Sequence, residues 1–170
     1  MMQRVLGVTG WKNSGKTTLV ERLVAELTAR GWKISTVKHA HHAFEIDHQG
    51  TDSFRHRAAG ASEVAIVSSN RWALMHELRG ENEPPLADIL ARLSLCDLVI
   101  VEGYKRDHHA KIEVRRSAAR DTTPLATADP TIVAVAADHP VTGSEVPVFG
   151  IDDIRGIADF AERAAGLRPS

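Results

Sequence analysis

The sequence has few of the features that build covalent frameworks, membrane spans or charged docking surfaces. Its 170 residues include one cysteine, Cys96, which excludes an intrachain disulfide and a multi-cysteine zinc site. No apolar run approaches the roughly 18 residues of a transmembrane helix. The apolar segment near the N-terminus is too short for the core of a signal peptide. We therefore expect a cytoplasmic protein that does not contact a membrane.

Neither sign of charge is in excess. Lys and Arg number 21 against 22 Asp and Glu, and the formal net charge is −1. Proteins that bind nucleic acid usually carry a basic surface, so no nucleic-acid partner is expected. Hydrophobic residues make up 43% and charged residues 25% of the chain, as in ordinary globular domains. The length suits one core, and we predict a single nucleotide-binding domain over residues 1–170.

Apolar runs alternate with amphipathic segments along the chain. The apolar runs predict strands at 4–9, 32–38, 98–101, 131–136 and 146–150, and an exposed strand at 111–115. The amphipathic segments predict helices at 16–30, 51–59, 85–93 and 152–165. Two further runs, 63–68 and 72–78, flank Ser69-Asn70-Arg71 and predict a hairpin. The pattern indicates an α/β fold with a mostly parallel twisted sheet flanked by helices and an inserted β-hairpin at 63–78.

A phosphate-binding loop lies between the first predicted strand and helix. Residues 10–17, GWKNSGKT, fit G-x-x-x-x-G-K-[ST] at every fixed position. Backbone amides of such a loop bind phosphates, its lysine reaches the β- and γ-phosphates, and its hydroxyl residue ligates Mg²⁺. The motif predicts a P-loop NTPase-like fold. The nucleotide-binding residues predicted from it are Gly10, Asn13, Ser14, Gly15, Lys16, Thr17 and Thr18.

An acidic residue must accompany Thr17 at the metal, and two candidates compete. Glu102 directly follows the apolar strand 98–101 and is therefore predicted to bind Mg²⁺. Asp47 begins a D-x-x-G motif but follows no apolar strand. Asp47 and Asp52 remain candidates for the metal shell or for orienting the attacking water. The predicted catalytic set is therefore Lys16, Glu102, Asp47 and Asp52, and Lys105 is predicted to approach a phosphate.

The sequence gives a weaker signal for the residue that recognises the nucleotide base. Guanine is commonly recognised by the aspartate of N-K-x-D after a late strand. Asp138 stands at that point after strand 131–136, but the asparagine and lysine are missing. We predict Asp138 as a guanine acceptor, and the residues alone leave guanine against adenine open.

Nine histidines are present, and His39, His41, His42 and His48 are grouped. Their spacing lacks a defined metal-ligand pattern, and no cysteine joins them. A polar loop beside phosphates, in which imidazoles donate hydrogen bonds, is the favoured interpretation. A metal-delivering GTPase is the alternative.

The phosphate loop is followed along the chain by three further segments. These are Val37-Lys38-His39, the Asp47-His48-Gln49-Gly50-Thr51-Asp52-Ser53 block with Ala58-Ala59-Gly60-Ala61, and Val101-Glu102-Gly103-Tyr104-Lys105. In this order and spacing, the segments resemble the MobB family, the molybdopterin-guanine dinucleotide biosynthesis adapter proteins. The resemblance covers most of residues 4–160. Tyr104 stands where phenylalanine is common in the family.

The resemblance implies a GTP-binding adapter with weak GTP hydrolysis and a Mg²⁺ cofactor. By this resemblance, Gly15, Lys16 and Thr17 bind phosphate and Mg²⁺, and Glu102 is the acidic residue of the site. Its implied partners are the molybdenum cofactor guanylyltransferase, molybdoenzymes or their chaperones, and molybdopterin. A kinase of a small metabolite is a further alternative, for which Arg115, Arg116 and Arg120 are the only candidate lid arginines.

The predicted hairpin carries apolar residues on both faces. Val64, Ile66 and Val67 lie on one strand, and Trp72, Leu74 and Met75 lie on the other. A lone two-stranded excursion is marginal in water. We therefore predict a homodimer whose interface includes Trp72 and Leu74 of the hairpin, and the family resemblance also implies a homodimer. The alternative is a hairpin that folds flat onto the sheet of its own chain.

Overall fold

The computed structural model describes residues 3–40 and 44–168. The chain divides into two compact units. The first comprises residues 1–39 and 89–170, and the second residues 40–88. The prediction of one domain over the whole chain stays a prediction. None of the described helices is both long and apolar enough to cross a membrane.

The first unit is built on a six-stranded sheet in the order β2-β5-β1-β6-β7-β8, with every neighbouring pair parallel. Its strands are β1 (Val5–Thr9), β2 (Ile34–Lys38), β5 (Leu98–Glu102), β6 (Lys111–Arg115), β7 (Ile132–Ala137) and β8 (Val148–Gly150). Because all six strands are parallel, the residues that follow β1, β5, β6 and β7 lie at one edge of the sheet. Ligands bind at this edge in open α/β sheets.

Two helices cover one face of this sheet, α1 (Lys16–Ala29) and α4 (Ile154–Ala165). The apolar residues of α1 recur at helical spacing, and Leu19, Leu23 and Leu27 are buried. They join a core with alternate residues of β1, β5, β6 and β7. The strands β1 and β5 are almost wholly buried, and each lies between two other strands of the sheet.

The sequence prediction that 111–115 is an exposed strand is wrong. Ile112 and Val114 face the helices, and Lys111 and Glu113 on the other face are also buried, at 0% and 1% exposure. The alternation of charged and apolar residues imitates a solvent-facing strand. Residues 125–131 instead supply partners for both charges: Lys111 donates to Thr131 Oγ1 at 2.5 Å, and Glu113 accepts from the amides of residues 125 and 126.

The second unit contains α2 (Asp52–Ala58) and an antiparallel hairpin of β3 (Glu63–Val67) and β4 (Trp72–His76). Thr51 caps α2, since its hydroxyl accepts from the amide of Phe54. The hairpin prediction agrees with these bounds to within two residues. The remaining helix, α3 (Leu86–Arg92), includes the boundary between the two units, which falls after residue 88.

Candidate functional site

The phosphate loop joins β1 to α1 at the carboxyl edge of the sheet. Gly10 follows β1 at φ +148°, and Gly15 precedes α1 at φ +92°. Only glycine adopts such angles at little cost. No side chain caps the N-terminus of α1, and the first amides of a helix have no intrahelical partner. They are free to donate to an anion, and the positive end of the helix dipole lies there.

Lys16 is half-buried and lies against this loop. Its Nζ donates to the carbonyl oxygens of Gly10, at 3.1 Å, and Trp11, at 2.7 Å. Burial lowers the pKa of Lys16, and the positive charge of Lys105 lowers it further. An ammonium held by two neutral carbonyl oxygens is only partly compensated, and a phosphate oxygen is a stronger partner for it.

Thr17 and Glu102 meet at the start of α1, although 85 residues separate them. The Thr17 hydroxyl donates to Glu102 Oε1 at 3.0 Å, and Lys38 Nζ lies 3.6 Å from the same oxygen. Glu102 ends β5 and is 9% exposed. A hydroxyl and a carboxylate are hard oxygen ligands that suit Mg²⁺. Their separation also fits adjacent ligands of an octahedral ion, which are about 3 Å apart.

The remaining predicted loop residues differ in their exposure. Ser14 is 1% exposed, and its Oγ has no hydrogen-bond partner among the residues described. Asn13 adopts a positive φ of 63° at the turn of the loop. Asn13 and Thr18 are exposed, and so is Lys12.

Trp11 connects the phosphate loop to two other loops at the same edge. Its Nε1 donates to the carbonyl oxygen of Thr123 at 2.8 Å, and Lys105 Nζ lies 4.7 Å from its ring centroid. Trp11 also lines an open cavity of about 510 Å³ with Lys12 and residues 120–123. Lys105 is therefore held beside the loop by a cation–π contact. Its partner Trp11 occupies a variable motif position, so the motif gave no signal for this contact.

Asp47 and Asp52, the other predicted acids, lie in the second unit. Arg57 donates to both carboxylate oxygens of Asp47, at 2.5 and 3.2 Å. These hydrogen bonds lower the pKa of Asp47, whose side chain is 3% exposed. Arg57 also binds Glu45 and Glu77. Asp47 thus fastens the D-x-x-G segment to α2, and its role at a phosphate stays a prediction. Asp52 is exposed at the start of α2.

Asp138 follows β7 at the edge that carries the phosphate loop. Its Oδ1 accepts from the Ser117 amide at 2.8 Å, and its Oδ2 accepts from the Ser117 hydroxyl at 3.3 Å. His139 Nδ1 lies 2.8 Å from Oδ1. These contacts lower the pKa of Asp138, with His139 first. The carboxylate fixes the turn after β6 to the end of β7, and base recognition stays a prediction.

The grouped histidines do not assemble a metal centre within 3–40 and 44–168, since no group of three His, Cys, Asp or Glu side chains there could hold a metal ion. His39 packs against the ring of Tyr104 with centroids 4.7 Å apart. His48 is exposed. His41 and His42 lie outside the described residues.

Comparison with known proteins assigns the family. The family described as "Molybdopterin guanine dinucleotide synthesis protein B", MobB, matches residues 5–138. The chain belongs to the MobB family. It is 38% identical over 158 residues to the molybdopterin-guanine dinucleotide biosynthesis adapter protein of Escherichia coli, covering 92% of this chain and 90% of that protein. It is 40% identical over 161 residues to the Haemophilus influenzae protein of the same name, covering 93% and 87%.

The fold agrees with solved structures. The crystal structure of a MobB protein homologue from Bacillus stearothermophilus matches with a TM-score of 0.72 and 29% identity, over 98% of this chain and 100% of that one. The sequence predictions of the MobB family, of a P-loop NTPase-like sheet with an added hairpin, and of an adapter in molybdopterin guanine dinucleotide synthesis are confirmed. The family assignment favours the adapter over the metabolite kinase and the metal-delivering GTPase.

Proposed function

We propose that this chain binds GTP with Mg²⁺ at residues 10–17 and acts as a GTP-binding adapter with slow hydrolysis. The observation that carries the proposal is the contact of Thr17 with Glu102 beside the uncapped start of α1. It places two hard oxygen ligands next to free amides and a half-buried lysine. This set of groups fits a phosphate chain and its metal.

Each residue has a distinct task in this arrangement. The loop amides and Lys16 bind the phosphates, and Thr17 and Glu102 hold Mg²⁺. When bound, Mg²⁺ neutralises charge on the phosphate oxygens. Glu102 accepts from the Thr17 hydroxyl and lies 3.6 Å from Lys38 Nζ, so its task in this proposal is to hold the cation. Hydrolysis of GTP is slow when no other residue lies near enough to the attacking water to act as a base.

The test of nucleotide binding is a pair of lysine variants in one loop. Lys16→Ala removes the ammonium at the phosphates, and we expect calorimetry to show a loss of GTP affinity of at least 100-fold in a folded protein. Lys12→Ala removes an exposed ammonium four residues earlier and is the control, with a change below threefold expected. Equal GTP affinity of Lys16→Ala and wild type would overturn the assignment of the loop.

Guanine preference depends on Asp138 in this proposal. Three of the roughly four acceptor positions of its carboxylate are engaged by Ser117 and His139. The 3.3 Å contact with the Ser117 hydroxyl is the weakest and must give way for two guanine donors to bind. We expect Asp138→Asn to exchange GTP preference for xanthosine triphosphate. An unchanged ratio would place base recognition elsewhere.

The adapter also needs surfaces for other proteins. On one face of the hairpin, Val64 pairs with Met75 and both side chains are buried. Val67, Trp72 and Leu74 lie on the opposite face, where their exposed fractions are 74%, 69% and 48%. We infer a homodimer that covers this exposed face. Light scattering of Trp72→Glu/Leu74→Glu is expected to show monomers where the wild type is dimeric, and a dimeric variant would refute the interface.

The partners proposed for the adapter are the molybdenum cofactor guanylyltransferase and, for delivery, molybdoenzymes or their chaperones with molybdopterin, all in the cytoplasm. The names of the relatives, biosynthesis adapter proteins, support this. Co-purification of the guanylyltransferase with the wild type, and its dependence on GTP, is the test. Equal capture by an unrelated P-loop protein would argue against a specific complex.

A further inference from the structure

The end of β6 supports the phosphate loop at both of its glycines. A Cβ built on Gly10 would lie 2.6 Å from the carbonyl oxygen of Val114. A Cβ built on Gly15 would lie 3.2 Å from Nε and 3.6 Å from Cζ of Arg116. The Arg116 guanidinium therefore lies against the glycine that immediately precedes Lys16 and α1.

This guanidinium has no partner of its own in the described part of the chain. The neighbouring acids are engaged, since Glu113 binds Arg115 at 2.7 Å and Asp138 accepts from Ser117. No hydrogen bond or ion pair joins the Arg116 side chain to any residue in 3–40 or 44–168, although its backbone carbonyl accepts from the amide of Ala119 at 3.1 Å. It is exposed, and an arginine remains charged with five donors available.

The charges around Arg116 explain what it can bind. Lys16 and Lys105 already carry positive charge at the start of α1, where the helix dipole is also positive, and Glu102 is the acid in contact with Thr17 there. Another cation against Gly15 is unfavourable unless a multiply charged anion joins it. Planar guanidinium groups bind two phosphate oxygens at once.

We propose that Arg116 binds the phosphate chain of the nucleotide, as a second cationic anchor beside Lys16. The inference rests on the proposed function, because it assigns a ligand contact within the same site. Lys16 approaches from the loop itself, whereas Arg116 approaches from the end of β6. Binding of phosphate therefore links the loop to the segment that follows β6.

The experiment measures GTP and inorganic tripolyphosphate binding to Arg116→Ala, Arg116→Lys and a control, Arg163→Ala. Arg163 is an exposed arginine in the last turn of α4, so the control removes the same charge. We expect Arg116→Ala to weaken both ligands equally, by roughly 10- to 100-fold, as for hydrogen bonds to charged groups. Arg116→Lys should recover part of the loss, and Arg163→Ala should stay within twofold. Thermal unfolding without ligand should not change.

Three results would overturn the inference. A loss for GTP without a loss for tripolyphosphate would place Arg116 at the base or ribose. Equal binding by wild type and Arg116→Ala would remove Arg116 from the site while leaving the proposed function intact. A wild type that binds neither ligand would refute the proposed function, and this inference with it.

Discussion

The first glycine of the phosphate loop has no room for a side chain, and Gly10→Ala measures that constraint. Gly10 has φ +148°, which residues with a Cβ rarely adopt. The added Cβ would lie 2.5 Å from Ser14 Oγ and 2.6 Å from the Val114 carbonyl oxygen, well inside ordinary contact at 3.4 Å. The Ser14 hydroxyl can rotate, but Val114 belongs to β6 and is 1% exposed, so its backbone must shift.

The expected cost has two parts. A residue in an unfavourable backbone region costs about 1–3 kcal/mol, and overpacking costs about 1–3 kcal/mol, so we expect destabilisation of about 4 kcal/mol. Gly31→Ala is the control. Gly31 has φ +93° but nothing within 4 Å of an added Cβ, so only strain of about 1–2 kcal/mol applies. The difference of about 2–3 kcal/mol corresponds to roughly 5–10 °C in Tm for a chain of this length.

The assay is urea unfolding without ligand, followed by far-ultraviolet circular dichroism. Adding Ser14→Ala to Gly10→Ala should recover part of the loss, because the next Ser14 atom, Cβ, lies at 3.4 Å. The reasoning is refuted if Gly10→Ala is as stable as Gly31→Ala. It is also refuted if the double variant is less stable than Gly10→Ala alone.

Three further predictions concern charge. Glu102→Gln should keep GTP bound but abolish the Mg²⁺ dependence of phosphate release, and unchanged release would refute its metal role. Lys111→Met should destabilise the fold by about 1–3 kcal/mol, since it removes a buried ammonium that donates to Thr131 Oγ1 and lies 3.7 Å from Asp129 Oδ2. Urea midpoints equal to wild type would contradict that. Burial lowers the pKa of His109, so the unfolded chain takes up a proton below about pH 6.5 that the folded chain does not. Stability should fall as pH drops through 6.5. His109→Gln should weaken that slope and the exposed His108→Gln should not.

The sequence predicted the parts of the site that local patterns define. The loop and α1 follow from fixed motif positions, and Glu102 follows from the apolar strand before it. Its contact with Thr17 spans 85 residues. It could still be anticipated, because parallel strands bring their carboxyl ends to one edge.

Contacts between distant residues without a motif could not be predicted. Lys111 looked solvent-facing because its partners, Asp129 and Thr131, lie 18 and 20 residues away in a segment without period. The contact between Asp47 and Arg57, ten residues apart, was missed because no spacing rule links an aspartate in a loop to an arginine on the next helix. The sequence alone does not distinguish an aspartate that binds a metal ion from one that binds a guanidinium group.

The three tryptophans are intrinsic fluorescent probes of three different parts of the chain. The indole of Trp11 stacks under the Lys105 ammonium in the phosphate loop, and that of Trp32 donates to Glu162 Oε1 at 2.8 Å. Trp72 is exposed on the hairpin. A single tryptophan kept in turn, with the others changed to phenylalanine, separates three emission signals. Movement of the ammonium from the Trp11 ring is then visible as a change in fluorescence, without any attached dye.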